Sequence, residues 1–337
     1  MTYISPDTLF CKINEAASNS KPFLFFIDYE MKNAYFTTRP LQCNDVKWRI
    51  GDVGNSTDVD YAIKGTFFKT KSIQQAEYEQ KFSRVRQGLM RGDTFLANLT
   101  VKTPIDTDYS LEEIFHRSNS RYRLLLPDRF VCFSPETFVR INDNKIKCFP
   151  MKGTISGLIP DAEAKILSDY KETCEHNTIV DFIRSDLARV GRWVEVERFR
   201  YIDRLNTSHG PVLQVSSEVT ARIDSNWRCH LGDMLREILP AGSICGAPRK
   251  ATLQVIAEAE GEPRGFYTGV MGYFDGQNFD SCVLIRYIET KQLATELGYS
   301  HTDKSPFYFR SGGGITINSD MNDEYNEVLE KVYLPFA

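Results

Sequence analysis

"RFVCFSPETFVRINDNKIKCFPMKGTISG", Arg129–Gly157, is the stretch from which the fold is read. Apolar and polar residues alternate through it, and a polar Asp143–Lys145 turn separates two strand-like runs. Residues 122–151 together alternate like a β-meander. Strands joined by such short turns pair antiparallel, because parallel neighbours need a long crossover. Lys152 closes the stretch, where a strand runs into a loop. Most lysines at such a place are solvated.

The pattern outside this stretch agrees. "PFLFFIDYEMKNAYFTT" (22–38) reads as a hairpin with a Lys-Asn turn, and 74–91 as a helix stopped at Gly92. "TFLANLTV" is a strand, 161–190 a helix, and "WVEVERFRYI" and "PVLQVSSEVTARI" are strands. Helices follow at "NWRCHLGDMLREIL" and "GAPRKATLQVIAEAEG", then strands at "GFYTGVMGYFD", "FDSCVLIRYIET" and "FYFRSGGGITI", and a last helix at 322–333. Strands come in runs and not in βαβ alternation. The expectation is α+β, with large antiparallel sheets and helices outside.

The chain has 337 residues, 42% hydrophobic and 26% charged, with a formal charge of −4. That is enough apolar material for a substantial core. No basic run points to nucleic acid. "PFLFFI" is too short to span a membrane and lacks the lead of a signal peptide. The eight cysteines form no C-x-x-C pair and read as reduced thiols, so a cytoplasmic location is expected.

Two pairs of glutamates stand out. Glu172 and Glu175 share one helix face, as do Glu324 and Glu327, with Lys331 four residues further on. Solvated helix faces are the plain alternative. The sharper reading is a magnesium site, since magnesium takes hard oxygen ligands and needs only one or two carboxylates beside substrate oxygens. "LPAGSICGAPRK" and "RSGGGITI" are glycine-rich turns able to aim amides at an anion, or simply tight turns. Arg286, inside an apolar strand, needs a rim position or a carboxylate partner. His176 is read as packed and hydrogen-bonded, and Asp181 with Arg184 as an internal ion pair.

Together these pieces resemble the chorismate-utilising enzymes. The residues that carry the likeness are "GDTFLANLT", "SPETFV", "PMKGT", "EHNTIVDFIRSDLARV", "LPAGSICGAPRKATLQVIAEAE", "RGFYTGVMGY", "LIRY" and "SGGGITINSDMNDEYNEVLEK". The resemblance implies two large, mainly antiparallel sheets packed together with helices outside. It implies one chorismate-binding domain over 1–337, with a reduced N-terminal part (1–75), a catalytic core (76–337) and no glutaminase domain.

Within the family, lysine in "P-x-K-G-T" resembles the aminodeoxychorismate synthases, where anthranilate synthases generally carry alanine. Isochorismate and salicylate synthases use a lysine in the strand matching "TFLANLT", where this chain has Leu96. The resemblance therefore implies component I of aminodeoxychorismate synthase, making 4-amino-4-deoxychorismate from chorismate and ammonia for 4-aminobenzoate and folate. Lys152 would be the nucleophile and Glu136 the general acid. Glu172, Glu175, Glu324 and Glu327 would hold Mg2+. Thr154, Gln214, Cys245, Gly246, Tyr273, Arg286, Gly312, Gly313, Gly314 and Lys331 would meet the substrate. Gln214 stands where many relatives have histidine, and Cys245 where they have threonine or serine.

A separate amidotransferase subunit would deliver the ammonia, and a lyase would act downstream. The rivals are anthranilate synthase component I and a non-catalytic chorismate-binding regulatory subunit. Two further expectations are geometric and electrostatic. A three-residue loop at Asp143–Lys145 would pair Glu136 with Lys152 across neighbouring strands, whereas a two-residue loop would shift the pairing by one. A lysine of ordinary pKa is only about one part in 2,500 unprotonated at pH 7. Magnesium, Arg286 or Lys331 nearby would lower its pKa.

Overall fold

The computed structural model describes residues 2–56, 65–207, 210–296, 305–334 and 336. In chain order it begins with α1 (Pro6–Ser18), β1 (Phe23–Ile27), β2 (Ala34–Thr37), β3 (Lys47–Ile50), β4 (Val53–Gly54) and β5 (Phe68–Thr70). Next come α2 (Gln75–Arg91), β6 (Leu96–Thr107), α3 (Leu111–Arg117), β7 (Tyr122–Leu126), β8 (Phe130–Ser134), β9 (Thr137–Asn142), β10 (Lys145–Cys148) and β11 (Met151–Ser156). Then follow α4 (Ala162–Ser168), α5 (Tyr170–Val190), β12 (Arg192–Thr207) and β13 (Gly210–Arg222). After a 3₁₀ turn at Trp227–His230 come α6 (Leu231–Ile238), α7 (Gly242–Cys245), β14 (Gly246–Ala247) and α8 (Arg249–Glu260). The chain ends with β15 (Val270–Phe274), β16 (Phe279–Val283), β17 (Tyr287–Thr290), α9 (Lys291–Glu296), β18 (Phe307–Ile315) and α10 (Met321–Glu330).

Among the described residues the strands form two nine-stranded sheets. One runs β11-β13-β10-β9-β16-β15-β1-β2 with β12 on β13, the other β14-β6-β18-β17-β8-β7-β3-β4 with β5 on β6. "FLFFI" explains how they pack. Phe23, Phe25 and Ile27 face a cluster shared with Leu9 and Ile13 of α1, Leu187 of α5 and Leu235 of α6. Leu24 and Phe26 face the opposite side, against Trp48, Leu124, Phe130 and Tyr287 of the second sheet. The second sheet is covered in turn by α2, α8 and α10 through Tyr78, Val85, Val255 and Val328. A strand covered on both faces has no polar alternation to display.

The expected meander proves to be split. β7 and β8 belong to the second sheet, β9 and β10 to the first, so the chain changes sheet at Pro135–Glu136. The turn after β9 has two residues, Asp143 (φ 50°) and Asn144 (φ 55°), and it pairs Asn142 with Lys145. Two left-handed residues make the hairpin turn that matches strand twist. The three-residue loop is thus corrected. β11 does not pair with β9 at all; its partner is β13, where Met151 faces Ser216 and Thr154 faces Gln214.

The expected helix over 161–190 is two helices broken at Asp169. The expected strand at "FDSCVLIRYIET" breaks between β16 and β17, leaving Arg286 outside both at φ 55°. Helices α1 and α3 were not anticipated. The Ser110–Glu113 capping box that starts α3 was a readable signal.

Candidate active site

A cleft of about 210 Å³ opens where the sheet crossover, the start of β11, α5, the 238–244 segment and the glycine run of β18 meet. Its walls carry Glu136, Lys152, Glu175, Gln214, Arg286, Gly312, Gly313, Gly314 and Lys331. Leu96 lines it too.

Glu136 sits at the crossover itself. Ser243 Oγ donates to its Oε1 at 2.5 Å. Burial pushes its carboxyl above the ordinary range, against the opposing pull of Ser243, Arg286 and Lys331. Such a carboxyl keeps a proton at higher pH than a solvated glutamate.

The glutamate pairs arrive on two helices. Asp169 caps α5 by accepting the Glu172 N–H at 2.8 Å, which fixes the first turn with Glu172, one turn ahead of Glu175. Asp320 caps α10 in the same way, accepting from Asn322 and Asp323 ahead of Glu324 and Glu327. Three lysines meet this group. Lys152 Nζ lies 2.7 Å from Glu175 Oε2, Lys171 Nζ 3.7 Å from Glu324 Oε1, and Lys331 Nζ 2.6 Å from Glu327 Oε1. The opposite oxygens of Glu172 (Oε2), Glu175 (Oε1) and Glu324 (Oε2) are buried with no hydrogen-bond partner among the described residues. Burial raises the Glu172 and Glu324 carboxyls. For Glu327 burial also acts upward, but Lys331 and Lys152 outweigh it and the net shift is down.

Close backbone approach makes room for the carboxylates. A Cβ on Gly313 would stand 3.2 Å from Glu324 Oε2, and one on Gly153 (φ 81°) 2.9 Å from Glu172 Oε2. The glycines of β18 lie inside the strand expected at "FYFRSGGGITI" and do not form the turn also expected there. Gly312, Gly313 and Gly314 pair in register with Thr100, Leu99 and Asn98 of β6. The Gly312 carbonyl accepts from Lys331 Nζ at 2.8 Å. In a strand the N–H leaves toward the same edge as the carbonyl, so the Gly312 amide also faces that open edge.

The chain matches the family described as chorismate binding enzyme over residues 15–336. This chain is a chorismate binding enzyme. It is 44% identical over 329 residues to an "Uncharacterized PabA-like protein" of Haemophilus influenzae, covering 96% of this chain and 94% of that one. It is 29% identical to "Aminodeoxychorismate synthase component 1" of Salmonella typhimurium (78% of this chain, 57% of that one). It is 28% identical to "Anthranilate synthase component 1" of Archaeoglobus fulgidus (80% and 64%). Among solved structures, the menaquinone-specific isochorismate synthase MenF of Escherichia coli superposes with a TM-score of 0.70 at 16% identity, over 98% of this chain and 82% of that one. The two-sheet fold is therefore that of chorismate-utilising enzymes, and the likenesses spread over several reactions.

Four of the expected substrate residues lie elsewhere in this chorismate binding enzyme. Tyr273 packs on Trp48 with ring centroids 4.7 Å apart, on the core side of β15. Thr154 is exposed, past the cleft on β11. Cys245 is fully buried, its thiol donating to Tyr29 Oη at 3.8 Å. Gly246 (φ 125°) is required because a Cβ there would lie 1.8 Å from the Leu96 carbonyl oxygen. Conversely, Ser243, Asn98, Tyr267, Thr268 and Asp186 line the cleft without having been singled out. The glycine spacing around Ser243 was the one local signal for any of them.

Lys152 carries the electrostatic correction. Burial would lower its pKa, but Glu175, Glu327 and Glu172 prevail and hold the ammonium protonated well above the ordinary lysine range. Lys331 shows the order expected of a desolvated amine: burial lowers its pKa, and Lys152 and Arg286 add to that against Glu327. His176 and the Asp181–Arg184 pair are as expected. His176 is buried with Nε2 2.7 Å from Ser217 Oγ, and Arg184 Nη1 is 2.9 Å from Asp181 Oδ1. Among the described residues no helix is long and apolar enough to cross a membrane.

Proposed function

We propose that this chorismate binding enzyme acts as component I of an aminodeoxychorismate synthase, converting chorismate and ammonia to 4-amino-4-deoxychorismate. The observation that carries the reading is the convergence of Lys152 and Glu136 on the cleft that Glu175 also lines. Anthranilate synthase chemistry has no use for that amine.

The carboxylates suit magnesium. Their buried oxygens have no hydrogen-bond partner among the described residues, and hard oxygen donors are what the ion takes. Among the described residues no three metal-binding side chains stand close enough to hold a metal by themselves. Glu175 and Glu327 would hold the ion with Glu172 and Glu324 in support. Bound there, it would offset the carboxylate charge around Lys152 and draw electrons from the ring through its carboxylate.

The chain's own groups do the rest. Arg286, Lys331 and the Gly312 amide form the cationic wall for the second carboxylate, since dianionic substrates need charge on both sides. Lys152, its proton released to solvent, adds through the free electron pair of Nζ to ring carbon two. Glu136 protonates the hydroxyl at carbon four, which leaves as water while the diene electrons shift. Ammonia then bonds to carbon four, and the lysine leaves carbon two with its electron pair. Gln214 lines the same space and can orient the departing hydroxyl but not protonate it. A separate glutamine amidotransferase would supply ammonia, and a lyase would release 4-aminobenzoate.

The test is turnover of chorismate with magnesium and ammonium salt, analysed by chromatography with and without added aminodeoxychorismate lyase. The expected product yields 4-aminobenzoate only with the lyase. Fluorescent anthranilate formed without it would sink the reading in favour of anthranilate synthase. No turnover at all would favour a binding subunit. Intact-mass analysis of trapped enzyme should show a covalent adduct that Lys152→Ala lacks.

A further inference from the structure

The three lysines at the carboxylate cluster are not equivalent. Lys331 belongs to the same chain segment as its partner Glu327, four residues earlier, and is tied a second time to the Gly312 carbonyl. Lys171 is half-exposed and stands 3.7 Å from Glu324. Lys152 crosses from β11 to a buried partner on α5; unlike Lys171, which reaches Glu324 on α10 from an exposed position, it is itself largely covered, and the Glu175 carboxylate holds its ammonium at 2.7 Å. The backbone beneath it is irregular. The β11–β13 register shifts between Met151 and Thr154, and Gly153 takes φ 81°. A bulge of this kind re-aims side chains without disturbing the rest of a strand. Four carboxylates face three ammoniums, so the cluster is nearly balanced before any other cation arrives.

We propose that the Lys152 ammonium is the resident counter-ion of this cluster, and that a divalent cation binds by displacing it, so that the nucleophile is untethered only in the loaded cleft. The inference rests on the metal reading above and adds to it. One oxygen of Glu175 is orphaned and the other is taken by Lys152, so an ion using this carboxylate must compete with the amine. Two cations cannot share one buried carboxylate without strong mutual repulsion. The displaced amine has a four-carbon stem, and the cleft that leads to Glu136 is the space beside it. The device would keep the amine from reacting with electrophiles when no cation, and hence no productively held substrate, is present.

The experiment is Mn2+ binding by titration calorimetry on the full chain without substrate, comparing wild type with Lys152→Ala and Lys152→Gln. Both variants should bind Mn2+ about tenfold tighter than wild type, since a competing charge is gone. Lys171→Ala should give a smaller gain, and Lys147→Ala, paired with Glu218 away from the cleft, none. Unchanged or weaker binding by both Lys152 variants would overturn the proposal. Lack of Mn2+ uptake by every protein would instead overturn the metal reading and this inference with it. Amine footprinting of the wild-type chain by mass spectrometry needs no variant. Labelling of Lys152 should rise when Mn2+ or Mg2+ is added, and constant or reduced labelling would count against displacement.

Discussion

Glu136, part-buried in the cleft wall, and His176, buried beside Glu175, are titratable groups that desolvation moves in opposite senses because it favours the neutral form of each. For Glu136 the neutral form is the acid, so its raised pKa extends the pH range over which it can donate a proton. The expected outcome for Glu136→Gln is a loss of kcat of about 10²- to 10³-fold with little change in KM. Glutamine keeps an acceptor for Ser243 but carries no transferable proton. In the wild type, kcat should fall on the alkaline side as this carboxyl ionises, at a pH above the ordinary glutamate range. That limb should be missing from the variant's profile. For His176 the neutral form is the base. Desolvation, reinforced by Arg200, lowers its pKa from 6.5 to about 4. The unfolded chain therefore takes up a proton near pH 6.5 that the folded chain refuses until near 4. Stability is full above 6.5 and declines as pH falls toward 4, by up to about 3 kcal/mol. Urea unfolding at several pH values should show this decline flattened in His176→Gln, whose amide takes the place of the Nε2 that meets Ser217. An equally steep decline in the variant would exclude His176 as its source.

The break at Asp169 and the glycine run of β18 explain which elements could be read in advance. Helix periodicity runs through 161–190 without a visible flaw, and the capping aspartate inside it looks like any polar residue. The consequence is functional, because the cap sets the first turn, with Glu172, from which Glu175 follows one turn later. Asp169→Ala should cost about 1 kcal/mol, a drop of about 1–2 °C in Tm for a chain of this length, and should weaken divalent-cation binding measured by calorimetry. Unaltered cation affinity would show that α5 holds its glutamates without the cap. The glycines of β18 suggested a turn because three together favour one. Their real cause is close approach: a Cβ on Gly312 would stand 2.8 Å from the Leu99 carbonyl oxygen. Such approaches belong to strands far apart in sequence and leave no local mark. The Asp143–Asn144 turn was legible as a turn, but its two-residue length was not. The pairing of β11 with β13, some sixty residues later, had no sequence signal of its own.

The two sheets and their sheathing helices were legible as α+β from the run of hairpins, but their division was not, since strands of either sheet alternate alike. The link between them is polar as well as apolar. Arg264, 1% exposed, donates Nη2 to the Asn98 carbonyl of β6 at 2.6 Å and Nη1 to the Ile244 carbonyl at 2.9 Å. It also grips Glu260 at the end of α8, through Nε at 2.9 Å and Nη2 at 2.6 Å. Glu260 in turn accepts from the Thr100 N–H and hydroxyl, and Glu30 of the β1–β2 loop accepts from the Arg264 backbone N–H. One arginine, through its backbone N–H and its guanidinium, thus joins the first sheet's hairpin loop, the second sheet's cleft-forming strand and the segment that carries Ser243. Removing one member of a buried ion pair strands the other. Arg264→Met should therefore cost about 3–5 kcal/mol in denaturant unfolding, much of it from the unpaired Glu260 carboxylate. Glu260→Gln added to Arg264→Met should recover part of that loss, because it removes the stranded charge while keeping a hydrogen-bonding group for Thr100. A double variant no more stable than Arg264→Met alone would mean that the cost lies in the lost carbonyl contacts to Asn98 and Ile244, and the pair would then be a geometric clamp on the cleft more than an electrostatic one.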